Sequence, residues 1–247
     1  MKWSNTILIT ALLTGLAGLF GSNALIKKVY ESIDKSDKYW NFKKLTDQPF
    51  KHIRITGGNV SNIVYDQSPQ SSVKVLPEWH GSDDGTVKAM VKNDTLVIDY
   101  ANTYRDIYEK HWLRDAVTVR ISGPEVKSVT GSDTRLMLNK YNQPALKVDL
   151  SGNSRLVVNS YRTQFEKLDV NLSDSSLTTI SMSDETFTKD IIKIDEVNAT
   201  GRGMSLLNLR SSSIERLHLD LADSASVALS GYTLTKWNNR SLPDKNR

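Results

Sequence analysis

The sequence predicts an all-β domain built as a parallel β-solenoid and preceded by an N-terminal membrane-crossing helix. Three observations predict it. A short text recurs, as "LKVDLSGNSRLVVN" at 146–159, "LDVNLSDSSLTTIS" at 168–181 and "LHLDLADSASVALS" at 217–230. Each copy is strand, polar turn, strand, with alternate apolar residues and no room for a 10-residue helix. The chain also opens on an uncharged apolar run far longer than the rest of its composition would suggest.

That first run, Trp3 to Ile26, carries no charge, and Lys27 with Lys28 follows at once. About 20 apolar residues in a helix cross a bilayer core of roughly 30 Å. A lysine-first start and the small residues Ser22 and Ala24 also suit a cleavable secretory leader. The length of the run, and two lysines beyond it, favour a retained anchor over residues 1–28, with secretion after cleavage as the alternative. Lysines flank both ends, so the positive-inside rule sets no orientation.

Residues 29–48 mix charges without alternation and read as a polar linker. From Pro49 the text turns to strand-like pieces: "HIRI" and "NIVY" around Gly57 and Gly58, then "SVKVL", "TLVIDY" and "AVTVRI". One stretch breaks this pattern. In "NTYRDIYEKHWLRD", 102–115, Tyr104, Tyr108 and His111 or Trp112 fall at helical spacing, which predicts a short helix or long inserted loop. The repeats then run on: "VKSVTGSDTRLML" with Val129 inward, the three copies quoted above, and "IIKI" supplying Ile192 and Ile194. The domain is expected over 49–237, with 238–247 as a C-terminal tail.

A repeat of roughly 20 residues cannot bury its own apolar face and must stack on its neighbours. Leu146, Val148 and Leu150, their equivalents Leu168, Val170 and Leu172, and Leu217, Leu219 and Leu221 are all expected inward. A leucine-rich repeat has this period but needs a regular Asn and a helical segment that are missing. An antiparallel sandwich explains the alternation but not the recurrence.

The repeats "VDLSGNSRLVV", "VNLSDSSLTTI" and "LDLADSASVAL" resemble those of the head GIN domain family, whose name also carries "putative autotransporter adhesin". "FKHIRITGGNVSNIVYDQ" is similar to that family's opening, and "DTLVIDY" followed by "VTVRISGPEVKSVTGS" to its middle. The likeness runs from about Phe50 to Lys236. It implies a right-handed parallel β-helix of the bacterial cell envelope, adhesin-like and without catalytic residues to carry over. The aromatic stretch and the anchor-like start depart from the family pattern.

Composition narrows function. The net charge of +4 owes +3 to Lys2, Lys27 and Lys28, leaving 29 basic and 28 acidic side chains in the rest of the chain. A nucleic-acid partner, which needs a basic surface, is therefore not expected. With no cysteine, disulfides and thiol chemistry are excluded. The four histidines share no metal-ligand spacing, no nucleophile elbow or phosphate loop occurs, and no cofactor, metal or catalytic residue is expected. The outward positions Lys147, Asp149, Asp169, Asn171, Lys193, Asp195, His218 and Asp220 read as a solvated ladder of mixed charge, since lysines interrupt any acidic cluster.

One patch suits binding: Trp79, His80, Tyr104, Tyr108, His111 and Trp112, aromatic residues gathered in the least repetitive part of the chain. They would contact a carbohydrate or protein ligand, or else simply cover the end or side of the core. The expected function is a membrane-anchored, non-enzymatic envelope module of adhesin-like binding or scaffold type. The soluble part would lie in the periplasm or outside. The alternatives are a polysaccharide-active enzyme on the same fold and a cytoplasm-facing membrane accessory. The sequence leaves the oligomeric state open.

Overall fold

The computed structural model describes residues 2–37, 39–79, 87–100, 116–160, 164–182, 192–210, 212–231 and 233–235. The chain divides into two compact units, Met1–Phe42 and Lys43–Arg247.

The first unit is dominated by one helix, α1 (Lys2–Ser32). Leu, Ile and Ala favour the helix and no proline interrupts it. At 1.5 Å per residue it is about 46 Å long, and Asn5–Ser32 is apolar and long enough to cross a membrane. Two of its threonine hydroxyls are satisfied within the helix. The Thr10 and Thr14 hydroxyls donate to the carbonyls of Thr6 and Thr10, both at 2.9 Å, which removes the cost of unpaired hydroxyls on an apolar helix. At its end Ser32 Oγ donates to Val29 O, and the Asp34 carboxylate takes the Ser36 amide in a local turn.

The second unit is strands. The N-terminal part holds β1 (Lys43–Thr46), β2 (His52–Thr56), β3 (Asn62–Gln67), β4 (Ser72–Val75), β5 (Val87–Lys92), β6 (Thr95–Tyr100) and β7 (Val117–Gly123). Next come β8 (Ser128–Ser132), β9 (Arg135–Tyr141), β10 (Ala145–Ser151), β11 (Arg155–Ser160) and β12 (Gln164–Leu172). Finally there are β13 (Leu177–Met182), β14 (Ile192–Gly201), β15 (Leu206–Leu209), β16 (Ser212–Leu221) and β17 (Ser226–Leu229). β1 lies in the stretch that the sequence suggested as a linker.

These strands do not form the right-handed parallel β-helix that the repeats and the family resemblance led us to expect. They form two large open sheets, ordered β1-β4-β7-β3-β9-β11-β13-β15-β17 and β16-β14-β12-β10-β8-β2-β6-β5. Both sheets are mixed, because β1 with β4, β4 with β7 and β5 with β6 run antiparallel. Nor do the early strands follow chain order, since β2 sits between β8 and β6, and β3 between β7 and β9. The physical reason begins at Asn93 and Asp94, with φ of 50° and 56°. Two successive residues at positive φ turn the chain straight back on itself as a hairpin, so β5 pairs with β6 instead of passing to a new layer. Alternation and period could not reveal this, because two open sheets bury alternate residues just as stacked coils do.

Each copy sends its first strand to one sheet and its second to the other. In the eight-stranded sheet Val148 aligns with Val129 and Val170, and Leu150 with Gly131 and Leu172. The next equivalents are Ala199 and Gly201, and then Leu219 and Leu221. Thus the copy between 168 and 217 is "VNATG", with Val197 buried; Ile192 and Ile194, also buried, belong one step earlier beside Phe165. Small residues disguised that copy. Gly131 and Gly201 leave the space that Leu150 Cδ2 and Leu221 Cδ2 use, 2.9 and 2.8 Å from where a Cβ would stand.

In the nine-stranded sheet Ile63, Leu136, Leu156 and Tyr65, Leu138, Val158 form matching buried columns. Burying each such side chain contributes roughly 1.5–3 kcal/mol. The last copy departs from expectation. Leu217 is buried, but Leu219 and Leu221 are 38% and 36% exposed, because β16 is the edge strand and no further layer covers them among the described residues.

The polar turns explain the recurring Ser, Gly and Asp. Asp133, Gly152, Asp174, Gly203 and Asp223 all adopt positive φ, between 51° and 66°. The aspartates tie successive turns together. Asp133 accepts the Asn153 amide (2.8 Å), Asp174 the Gly152 amide (3.0 Å) and Asp223 the Gly203 amide (3.2 Å). Gly203 also lies against the Asp174 backbone, which a Cβ would meet at 2.9 Å. We expect Gly203→Ala to cost about 1–3 kcal/mol in denaturant unfolding, from left-handed strain and that backbone contact. Gly231→Ala, where a Cβ would meet nothing within 4 Å, should be close to neutral; equal effects would contradict the packing argument.

Candidate functional site

Of the predicted aromatic patch, the structure places Trp79. It ends a 3-10 turn (Pro77–Trp79) whose closure is the Trp79 amide bonding Leu76 O at 2.9 Å. It is 6% exposed and meets Tyr100 edge-on, with ring centroids 6.1 Å apart at 71°. Tyr100 is buried as well, over the space left by Gly58, and its hydroxyl pairs with Thr118 Oγ1 at 3.1 Å. Burial pushes that phenol well above its usual range, although the Thr118 and Ser61 hydroxyls pull it down. Trp79 therefore closes one part of the core. His80, Tyr104, Tyr108, His111 and Trp112, and the short helix or loop expected over 102–115, lie outside the described residues.

The outer face of the eight-stranded sheet carries the charged ladder. Strand pairing aligns Lys147, Asp169, Asn198 and His218 in one column, and Lys167, Glu196 and Arg216 in the next. Lys193 and Asp195 fall outside these columns, for the same reason that the "VNATG" copy was missed. The groups bind one another. Lys167 is 3.1 Å from Asp169, Asn198 Nδ2 donates to Asp169 (2.8 Å) and Glu196 (2.9 Å), and Arg216 meets Glu196 at 3.0 Å. At the edge Arg202 holds Asp220 at 2.8 Å.

Burial raises the Asp169 carboxyl, but the Asn198 and Lys167 hydrogen bonds and the lysine charges hold it below its ordinary value. The Asn198 hydrogen bond, with Arg216, likewise lowers Glu196, and Arg202 lowers Asp220. A general acid at neutral pH needs the opposite shift. Such a face suits recognition through charge and hydrogen bonds. Among the described residues no cluster of His, Asp and Glu is arranged to hold a metal ion.

Sequence reasoning did not find a third feature, an open cleft of about 430 Å³ lined by Gln67, Ser68, Pro69, Pro124, Lys140 and Asn142. Gln67 ties its lining together, accepting the Asn142 amide (2.8 Å) and donating to Pro124 O (2.9 Å). Lys140, at φ 54°, supplies a cation beside two prolines. The residues come from three separate segments, the end of β3 with the residues after it, the residue after β7, and the end of β9 with the residue after it, and the positive φ at a lysine has no sequence signature.

Fold and surface together define a class: a two-sheet all-β domain with an apolar N-terminal helix. No protein-family model matches the chain, that of the head GIN domain included, and no curated protein matches it. Among solved structures it is similar to a "putative adhesin" from Bacteroides fragilis NCTC 9343, at 12% identity and TM-score 0.45, over 76% of this chain and 95% of that one. A "putative adhesin" from Parabacteroides distasonis ATCC 8503 is similar at 14% identity and TM-score 0.39, over 77% and 94%. A "putative lipid binding protein" from the same strain follows at 14% identity and TM-score 0.35, over 77% and 93%.

Proposed function

We propose that the chain is a membrane-anchored, non-enzymatic module of a bacterial envelope, which presents a rigid β domain for adhesin-like binding or as a scaffold. The observation that carries this reading is α1. Its apolar side chains stand exposed along its length, among them Leu8 (68%), Leu12 (60%), Phe20 (73%) and Leu25 (68%), while the β unit holds a core of its own. Exposed apolar surface of that extent calls for a nonpolar solvent, and a single helix of this length finds it in a bilayer. The β unit would then stand in the periplasm or outside.

Its ligand is a carbohydrate or a protein. We assign the contact to His80, Tyr104, Tyr108, His111 and Trp112, with Trp79 itself buried in the core. The mixed-charge face is the supporting surface, because its carboxylates are held ionised by their partners.

The test has two arms. Full-length protein should stay with membranes through alkaline extraction, and protein starting at Lys43 should be soluble with an unchanged unfolding midpoint. Protein recovered soluble and shortened would instead mean leader cleavage, and protease resistance that persists when only the outer envelope is opened and is lost on lysis would place the domain in the cytoplasm. In the second arm the soluble unit is screened on glycan and envelope-protein panels, where Trp112→Ala should weaken capture by about tenfold. Polysaccharide turnover abolished by Asp169→Asn would overturn the non-enzymatic reading.

A further inference from the structure

We infer that the free edge of β16 is an interface with a second copy of this chain, paired antiparallel about a twofold axis at His218. β16 closes the eight-stranded sheet, with β14 on one side and no strand on the other among the described residues. The Ala222 amide bonds Gly201 O on β14. By strand alternation the backbone groups of Asp220, His218 and Arg216 face β14, while those of Leu217, Leu219 and Leu221 face outward. The inner side chains at this edge, Leu219 and Leu221, are the exposed ends of columns that elsewhere run through the core. An exposed edge with uncovered leucines is a template for another strand.

Charge selects the occupant and its register. When β16 meets a second β16 with His218 opposite His218, Arg216 falls opposite Asp220 of the other copy, and the reverse. Those positions are then the close, non-hydrogen-bonded pairs, and Leu217 opposite Leu219 supplies the backbone bonds. Within each copy Arg216 already holds Glu196, and Arg202 holds Asp220. Pairing thus builds two chains of alternating sign, Glu196, Arg216, Asp220, Arg202, one on each side of the central His218 pair. It also joins the two leucine columns into one core, and an isologous contact of this kind uses up both β16 edges.

The chain has no cysteine, so one introduced thiol reports on the register without background. In the full-length protein in membranes, His218→Cys should give a covalent dimer under mild oxidation, because symmetric close-pair positions meet disulfide geometry. Thr200→Cys, one strand inward on β14, should stay monomeric. Adding Arg216→Asp to His218→Cys should lower the dimer fraction by about tenfold, since it sets Asp against Asp twice, and Asp220→Arg should do the same. Carrying both changes should recover part of it, because the pairs across the seam are re-formed with their signs exchanged while Glu196 and Arg202 each meet a like charge within their own copy. Circular dichroism of each variant from Lys43 onward checks folding.

Three results would overturn the proposal. They are no cross-link in His218→Cys, no recovery in the double charge exchange, and cross-linking that appears only when the chain is cut after Thr235. The last would mean that the C-terminal tail is the natural occupant of the edge.

Discussion

Leu150→Asp is expected to abolish the folded β domain. Leu150 is 1% exposed and lies in the column Ile98, Ile55, Gly131, Leu150, Leu172, Gly201, Leu221. Gly131 beside it already yields space to its methyl groups, so a carboxylate there would find neither water nor a partner. Losing the burial removes roughly 1.5–3 kcal/mol, and an unpaired buried charge adds several kcal/mol more. The sum rivals the ~5–15 kcal/mol that holds an ordinary domain together. Loss of the far-UV β signal and of a cooperative unfolding transition checks it. Leu219→Asp, the same exchange at the corresponding step of the neighbouring column, should leave the fold intact because Leu219 is already 38% exposed. A folded Leu150→Asp would refute the inward placement, and an unfolded Leu219→Asp would mean that the edge is covered.

Tyr141→Ala should be the next most damaging change, at about 3–5 kcal/mol. Tyr141 is fully buried and lies parallel to Phe165, with ring centroids 6.0 Å apart at 8°. Its hydroxyl sits 2.8 Å from Ala145 O and 3.0 Å from Val126 O, bridging the chain before β8 to the start of β10. Burial pushes this phenol far above its usual range, so it remains a donor at every physiological pH. Tyr141→Phe keeps the stack and leaves those carbonyls short of a donor, for about 1–2 kcal/mol. Urea unfolding of both variants separates the two contributions. Equal losses would show that the hydroxyl, not the ring, holds this corner.

Parts of the molecule were legible in advance for identifiable reasons. Leu146, Val148, Leu150, Leu168, Val170 and Leu172 are buried as alternation requires, since a strand has only two faces and the polar residues between them occupy the other. The apolar helix was legible because no other element tolerates so long an uncharged run. The hairpin at Asn93 and Asp94 uses residue types that tolerate positive φ, but such residues also fill the turns of the repeats and do not by themselves distinguish a hairpin. "VNATG" was missed because Ala199 and Gly201 stand where other copies have leucine. The cleft at Gln67 and Lys140 had no signal, being assembled from strand ends and turns distant in the chain.

By itself, the sequence determined which residues alternate between the two faces of a strand, where the chain must turn, and that its first segment is an apolar run long enough to cross a membrane. These are local matters of side-chain period and backbone permission. Only the tertiary structure decided that the strands form two open mixed sheets, that Trp79 serves the core, and that Leu219 and Leu221 are left at an edge. Those outcomes depend on which strand lies beside which, and pairing partners are chosen by the free energy of the whole assembly rather than by any one segment.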